Sequence, residues 1–286
     1  MRFVAIDWGT SSFRAWLIED GKICDHIQSD QGVKNFKAGE HESFIKLTLG
    51  VWQEKFAFII SIGMIGSSIG LYETKFLSLP IALDEVFDSI IKVPNFDPPL
   101  FIVSGVSKVG DVMRGEESQS LASKVVDGLV VLPGTHSKWV KIKDNQIVDF
   151  RTYLTGELFQ ILRSFSTLSK ATEVSGEFKV SADFIRGLDA SSSDLTHDLF
   201  AIRAHWLQGT SKEASVEFLS GLLIGYEIKS AKEWGQPTEV VLIASDGLAK
   251  LYRAALTHFG ISSTDSQSSH LIDYFVALSE KLGVRR

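Results

Sequence analysis

The sequence predicts an α/β protein made of two related halves. Three observations lead there. The stretch Phe3-Val4-Ala5-Ile6-Asp7-Trp8-Gly9-Thr10-Ser11-Ser12-Phe13-Arg14-Ala15-Trp16-Leu17-Ile18 reads as a strand, a small polar turn and a second strand. Branched and aromatic residues flank a bend built of small polar ones. Val130-Val131-Leu132-Pro133-Gly134-Thr135-His136-Ser137-Lys138-Trp139-Val140-Lys141-Ile142 repeats the design in the second half. Each copy continues through a short polar turn toward a third strand, at Glu19-Asp20-Gly21-Lys22 and at Lys143-Asp144-Asn145-Gln146. A repeat at so long an interval marks two halves of one fold. Finally, 286 residues with 44% hydrophobic and 22% charged side chains suffice for two domains of ordinary size with packed cores.

In chain order, strands are expected near 3–7, 13–18 and 22–27. A helix near 41–53 follows, with Phe44, Leu47 and Val51 on one face and Ile45 and Trp52 beside it. Residues 56–62 are apolar except for Ser61 and suit a central strand. After a glycine-rich loop at 63–70, residues 71–79 look extended and 83–91 partly helical. Residues 94–99 are turn-rich, and 100–103 form another buried strand. The stretch 104–114 reads as a loop, and 116–126 as a helix with Leu121, Ala122 and Val125 as its apolar face. The second half gives strands near 129–132, 138–143 and 146–153, then a helix near 155–165. Residues 166–209 are less regular. They hold an amphipathic segment at 195–207, with Ser191-Ser192-Ser193-Asp194 before it as the expected cap. A long helix at 218–234, a strand at 239–244, a helix after Ser245-Asp246-Gly247-Leu248, a polar loop at 262–269 and a short helix near 271–281 complete the chain.

Composition narrows the function. A net charge of −6 argues against broad nucleic-acid binding. Cys24 is the one cysteine, so neither an intrachain disulfide nor a thiolate metal cluster can form. His41-Glu42 is followed by Ile45 where a second zinc ligand would stand. The chain opens directly in strand, without a basic leader, and no apolar run reaches the roughly 18 residues of a membrane helix. A cytoplasmic protein is the expectation.

The two Gly-Thr turns carry the first candidate chemistry. Each offers backbone N–H groups and hydroxyls that can hold a phosphate, and Asp7 stands where the first strand ends, placed to face a hydrated cation. No G-x-x-x-x-G-K-[ST] loop and no protein-kinase glycine loop occurs. Gly66-Ser67-Ser68-Ile69-Gly70 matches the letters of a hydrolase elbow, but no helix is expected directly after it, which that motif requires. At Arg114-Gly115-Glu116-Glu117 two acids begin a helix, beside the positive end of its dipole. Any first helical turn favours acids, and the same applies to Glu157 after Thr155-Gly156.

Four segments resemble a known family. They are Ala5-Ile6-Asp7-Trp8-Gly9-Thr10, Val112-Met113-Arg114-Gly115-Glu116-Glu117, Leu132-Pro133-Gly134-Thr135-His136-Ser137-Lys138-Trp139 and Asp149-Phe150-Arg151-Thr152-Tyr153-Leu154-Thr155-Gly156-Glu157-Leu158. Together they resemble the 2-dehydro-3-deoxygalactonokinase family of the actin/sugar kinase/Hsp70 superfamily. The first segment is common to the superfamily; the third and fourth are specific to the family. The resemblance implies two RNase H-like (actin-like ATPase) domains of βββαβαβ type flanking a nucleotide cleft. The halves would be residues 1–124, with the first phosphate hairpin and the sugar loops, and 125–286, with the second hairpin and the adenosine region. The final helix would be free to pack back on the first domain.

It also implies an ATP-dependent, magnesium-requiring carbohydrate kinase. Its substrate would be 2-dehydro-3-deoxy-D-galactonate, phosphorylated at the 6-hydroxyl in galactonate and galactose catabolism. Asp7 would hold Mg²⁺ through water. Gly9, Thr10, Ser11, Ser12, Gly134, Thr135, His136 and Ser137 would grip phosphates, with Arg14 and Lys138 as cationic candidates. Glu116 would be the base, with Glu117 as fallback. Met64 would approach the sugar, Glu157 could reach it, and Arg114 or Arg151 would meet its carboxylate. Gly247 lies in the adenosine turn, where Ala244-Ser245-Asp246 replaces part of the usual glycine pair. A kinase for another sugar or sugar acid, or an ATP-dependent regulatory protein of the same fold, would use the same frame. Partners would be ATP and a sugar acid, with no nucleic acid and no membrane, and with room for a homodimer.

Overall fold

The structure, a computed structural model, describes residues 1–53, 56–176, 178–192, 194–267 and 269–284. The first half runs β1 (Arg2–Trp8), β2 (Phe13–Glu19), β3 (Lys22–Ser29), α1 (Glu40–Leu49), β4 (Ile59–Gly63), β5 (Leu77–Ser78), α2 (Leu83–Asp88), β6 (Ile91–Lys92), β7 (Leu100–Ile102), β8 (Val106–Lys108), β9 (Asp111–Met113) and α3 (Glu116–Ala122). Then follow β10 (Gly128–Leu132), β11 (Ser137–Lys143), β12 (Gln146–Tyr153), α4 (Thr155–Phe165), α5 (Ser169–Thr172), α6 (Ala182–Ala190), α7 (Leu195–Leu207), α8 (Lys212–Gly235), β13 (Glu239–Leu242), α9 (Asp246–His258), β14 (Ser262–Asp265) and α10 (Ser269–Val284).

Two sheets share one plan. The first has the order β3-β2-β1-β4-β7-β6 and the second β12-β11-β10-β13-β14. In both, the first strand of the half lies between its own hairpin and the strands that arrive later. β1 pairs antiparallel with β2 and parallel with β4, and β4 with β7. β13 pairs parallel with β10 and with β14. The hairpins close through two-residue turns with positive φ at both positions, Asp20-Gly21 and Asp144-Asn145, the geometry that matches strand twist.

The chain divides into two compact units. The first contains Met1–Val126, Ile142–Asp149 and the segment from Gln267 onward; the second contains Asp127–Lys141 and Phe150–Ser266. The tip of the β11–β12 hairpin and α10 therefore group with the first unit. Within it, α10 packs on α3, with Tyr274 Oη donating to Ser118 Oγ at 3.0 Å and Lys124 paired with Asp273 at 2.7 Å.

The first core is built behind the β1–β2 turn. Trp8 and Phe13 face each other in the strand register and pack edge to face at 5.3 Å, with Phe36, His41 and Phe44 around Trp8. Truncating one such buried ring typically costs about 3–5 kcal/mol. The second core joins Val131, Trp139, Leu242 and the inner faces of α8 and α9.

Several sequence expectations are corrected. On α1 the buried residues are His41, Ile45 and Leu49, while Leu47 and, beyond the helix, Val51 are exposed. The helix turns its aromatic and branched edge, not the Leu47–Val51 stripe, toward Trp8. On α3 the buried residues are Glu117, Ser118, Ser120 and Ala122; of the expected face Ala122 is buried, Leu121 is half-buried and Val125 lies beyond the helix end, while polar side chains make up most of the buried face. The 104–114 loop contains β8 and β9, joined with β5 in a three-stranded sheet. Within the polar stretch at 262–269, residues 262–265 form β14, an edge strand paired in parallel with β13; Ser268 lies outside the described residues. Helix α7 is capped by Asp194, which accepts from His197 N at 3.2 Å, rather than by the serines before it; Ser193 lies outside the described residues. No helical segment follows Ser68 before α2, in keeping with the rejected hydrolase elbow. Among the described residues, no helix is long and apolar enough to cross a membrane.

Candidate active site

Asp7 is the last but one residue of β1 and sits opposite Arg14 in the β1–β2 register. The strand's alternation buries Ile6 and Trp8 in the core and turns Asp7 to the other face of the sheet. Its side chain is 8% exposed. Oδ2 accepts from the Arg14 guanidinium at 2.5 Å and from Gln119 Nε2 at 3.1 Å, which leaves Oδ1 outside both bonds. Arg14 thus serves Asp7 and lies over Trp16 at 5.7 Å.

The turn after Asp7 is held by backbone. Gly9 N donates to Ser12 O at 2.9 Å, and Val33 N donates to Gly9 O at 3.0 Å. Gly32 presses on the turn so closely that a Cβ there would overlap Thr10 O and the Ser11 backbone. The Ser11 and Ser12 residues are exposed and Thr10 is half-buried.

Helix α3 supplies the acids. Glu116 is half-buried, and its Oε2 accepts from Arg114 N at 2.9 Å. Gln119 lies three residues on, on the same face of the helix, so its bond to Asp7 brings that face to the end of β1. Sequence reading missed Gln119; its spacing from Glu116 was the available signal. Glu117 points the other way and is 0% exposed. It accepts from Gly115 N at 2.7 Å and from Ser118 Oγ at 3.0 Å. Burial, and then the charge of Glu116, push its carboxyl up to about 8, against the pull of its hydrogen bonds. Glu117 is sealed beneath α3 and presents no oxygen to a ligand in this conformation.

Arg114 is buried as well. It donates to Thr74 Oγ1 at 2.5 Å and Thr74 O at 3.1 Å and lies over Phe76 at 4.3 Å. Burial lowers its pKa, opposed by Glu117 and Glu73, yet an arginine remains charged. Its guanidinium braces the loop that begins at Met64, since Thr74 N also donates to Gly66 O at 2.9 Å. Met64 itself is half-buried on the first core.

In the second unit Gly134 and Thr135 form the turn, and Glu157 N donates to Thr135 O at 2.9 Å. Gly156 packs against the turn, and a Cβ there would overlap Gly134 O. His136 Nε2 and Glu157 Oε2 are 2.6 Å apart at the surface. Ser137 is buried and bonds Tyr252 Oη at 2.9 Å. Lys138 is buried on the other face of β11, donating to Thr152 Oγ1 at 2.8 Å. Arg151 is exposed and lies over Trp234 at 5.3 Å. Gly247 is exposed in the first turn of α9, whose N-cap is Ser245.

The structure therefore joins Asp7, Arg14 and Gln119 in one cluster, with Glu116 on the same helix face as Gln119. It buries Glu117, Arg114, Ser137 and Lys138 among protein partners. Among the described residues, no group of three or more His, Cys, Asp or Glu could cage a metal. A single partly free carboxylate suits Mg²⁺, which keeps most of its waters and takes one or two carboxylates plus substrate phosphates.

Comparison with known proteins agrees with this frame. Residues 7–273 match the family model for 2-keto-3-deoxy-galactonokinase. The chain is 36% identical over 276 residues to a Rhizobium meliloti protein assigned as 2-dehydro-3-deoxygalactonokinase, covering 91% of this chain and 90% of that one. It is 31% identical over 273 residues to the 2-dehydro-3-deoxygalactonokinase of Escherichia coli, covering 92% of each. A crystal structure assigned to the same activity, from Sinorhizobium meliloti, superposes with a TM-score of 0.88 at 32% identity over 99% of this chain and 96% of that chain. Solved structures of much lower identity share the fold, that of the actin-like ATPases and sugar kinases. The four segments read from the sequence pointed to the right family: the chain belongs to the 2-keto-3-deoxy-galactonokinase family.

Proposed function

We propose that the protein transfers the γ-phosphoryl group of ATP to the 6-hydroxyl of 2-dehydro-3-deoxy-D-galactonate, a step of galactonate catabolism. The observation that carries this is the family match over residues 7–273, a span that contains every candidate site residue. ATP as co-substrate is in keeping with a cytoplasmic setting.

Phosphoryl transfer asks a protein for alignment and charge neutralisation more than for covalent chemistry. The turns Gly9–Ser12 and Gly134–Ser137 offer backbone donors to phosphate oxygens. With Ser137 Oγ turned inward to Tyr252, that residue contributes through its main chain. Asp7 would hold Mg²⁺ through water, and the ion supplies charge neutralisation at the phosphates. Arg14 fixes the Asp7 carboxylate, and Gln119 aims it. Glu116 takes the proton of the attacking hydroxyl as the new O–P bond forms and the bond to the departing ADP breaks. Neutral Glu117 beneath it leaves Glu116 as the charged member of the pair. For the sugar carboxylate, Arg151 is the candidate that remains, because Arg114 is committed to Thr74.

A coupled assay of ADP release, with and without 2-dehydro-3-deoxygalactonate, tests the reading. ADP release that depends on the sugar acid is expected, and equal release without it would exclude a kinase for this acceptor. A Glu116→Gln variant should lose roughly 10²- to 10⁴-fold in kcat, the usual worth of a general base. Near-normal turnover in the folded variant would take the base role from Glu116.

A further inference from the structure

Glu227 lies in the middle of α8, 2% exposed, among the buried residues Leu223, Ile224 and Ile228. A buried carboxyl there costs several kcal/mol unless other groups compensate it. Three side-chain donors converge on it. Trp139 Nε1 donates to Oε1 at 2.9 Å, Tyr252 Oη donates to Oε2 at 2.7 Å, and Thr155 Oγ1 donates to Oε2 as well. With the Tyr252 proton directed at Glu227, Ser137 Oγ is the donor in the 2.9 Å bond to Tyr252 Oη.

Each donor comes from a different piece of the nucleotide frame. Ser137 ends the second Gly-Thr turn, and Trp139 follows it on the same face of β11. Thr155 precedes Gly156 and Glu157, which press on and bond to that turn. Tyr252 belongs to α9, the helix whose first turn holds Gly247. Resting on the reading of Gly134–Ser137 as a phosphate turn, we propose that Glu227 is a positioning residue for ATP: one buried carboxyl holds the turn, its glycine support and α9 in a single geometry. An indole N–H can only donate, so the junction requires an acceptor at Glu227. An apolar side chain of similar size would fill the volume but fix none of the three. Burial raises the pKa of Glu227 against the pull of its donors, and burial and Glu227 together raise that of Tyr252, which keeps the phenol a donor.

The test uses the full-length protein with Tyr252→Phe and Glu227→Gln. Tyr252→Phe removes the hydroxyl between Ser137 and Glu227 and leaves the ring in the core, so it decides the question even if Glu227→Gln does not fold. Both folded variants should lose roughly 10- to 100-fold in kcat/KM for ATP, the cost of misplacing binding groups by a fraction of an ångström to an ångström, with KM for the sugar acid unchanged. ATP titrated calorimetrically should bind more weakly to Tyr252→Phe by a similar factor. An unchanged kcat/KM for ATP, or an equal loss toward both substrates that only follows a lowered melting temperature, would overturn the proposal. Wild-type protein that neither binds ATP nor releases ADP would instead overturn the kinase reading on which it rests.

Discussion

Replacing Glu117 by Gln should change how stability depends on pH. Glu117 is fully buried, and its carboxyl is raised from 4.5 to about 8 by burial and then by the charge of Glu116. The raised value means that the folded state holds a proton which the unfolded state releases near pH 4.5. Stability from this group is therefore complete below about pH 4.5 and is lost as pH rises through about 8. Within that window the slope is about −1.4 kcal/mol per pH unit, and the whole span amounts to something on the order of 5 kcal/mol. Gln is of nearly the same shape and can still accept from Gly115 N, but it cannot titrate. Urea or thermal melts of both proteins across the window isolate the effect, because Glu227 and every other titrating group is shared. The wild-type curve should fall more steeply toward pH 8, and the difference between the two should flatten above it. Parallel curves would show that Glu117 is ionised in the folded protein, and with it would go the argument that Glu116 is the one charged acid of the pair.

Two further substitutions address the candidate site directly. Gln119→Ala removes a bond to Asp7 Oδ2 while leaving Arg14 in place. Loss of such a supporting contact should lower activity or metal affinity roughly 10- to 100-fold, seen as a higher Mg²⁺ concentration at half-maximal rate; an unmoved midpoint would detach Gln119 from the metal. Gly156→Ala forces a methyl group onto Gly134 O. Overpacking of this kind typically costs about 1–3 kcal/mol, so a lower melting temperature and a higher KM for ATP should appear together, whereas a normal KM would show that the turn does not bind phosphate.

The sequence carried the strands of both hairpins and both turns because their chemistry is local: apolar runs interrupted by Gly-Thr need no tertiary information to be read. It did not carry the direction of α3. Glu116 and Glu117 look alike as first-turn acids, and only the docking of α10, through Tyr274 on Ser118, decides which is sealed. Arg114 has the same history. As a cation inside a family-like segment it suggested a carboxylate ligand, but the partner that claims it, Thr74, stands forty residues earlier. Glu227 was invisible for a related reason: in a helix read by its leucines, a single acid counts as solvated until Trp139, Thr155 and Tyr252 are seen to surround it. β14 escaped because an edge strand of Ser-Ser-Thr-Asp has no apolar alternation to display.

The two Gly-Thr turns are supported alike, beyond what their sequences share. In the first unit Gly32 presses on Thr10 and Ser11, and the next residue, Val33, donates its N–H to Gly9 O. In the second, Gly156 presses on Gly134, and the next residue, Glu157, donates to Thr135 O. In both cases the glycine follows the third strand of the hairpin set. A side chain at either place would push the turn away, and loss of the N–H would free its carbonyl to move. Loops that hold anions through backbone donors gain most when those donors are fixed beforehand, because little ordering remains to be done as the ligand arrives. A glycine and an amide brought from another strand end provide that order without a side chain occupying the space where phosphate would lie. The repeated support thus explains why the turns themselves can be small, polar and open, and why the two halves keep a glycine in places that no phosphate motif names.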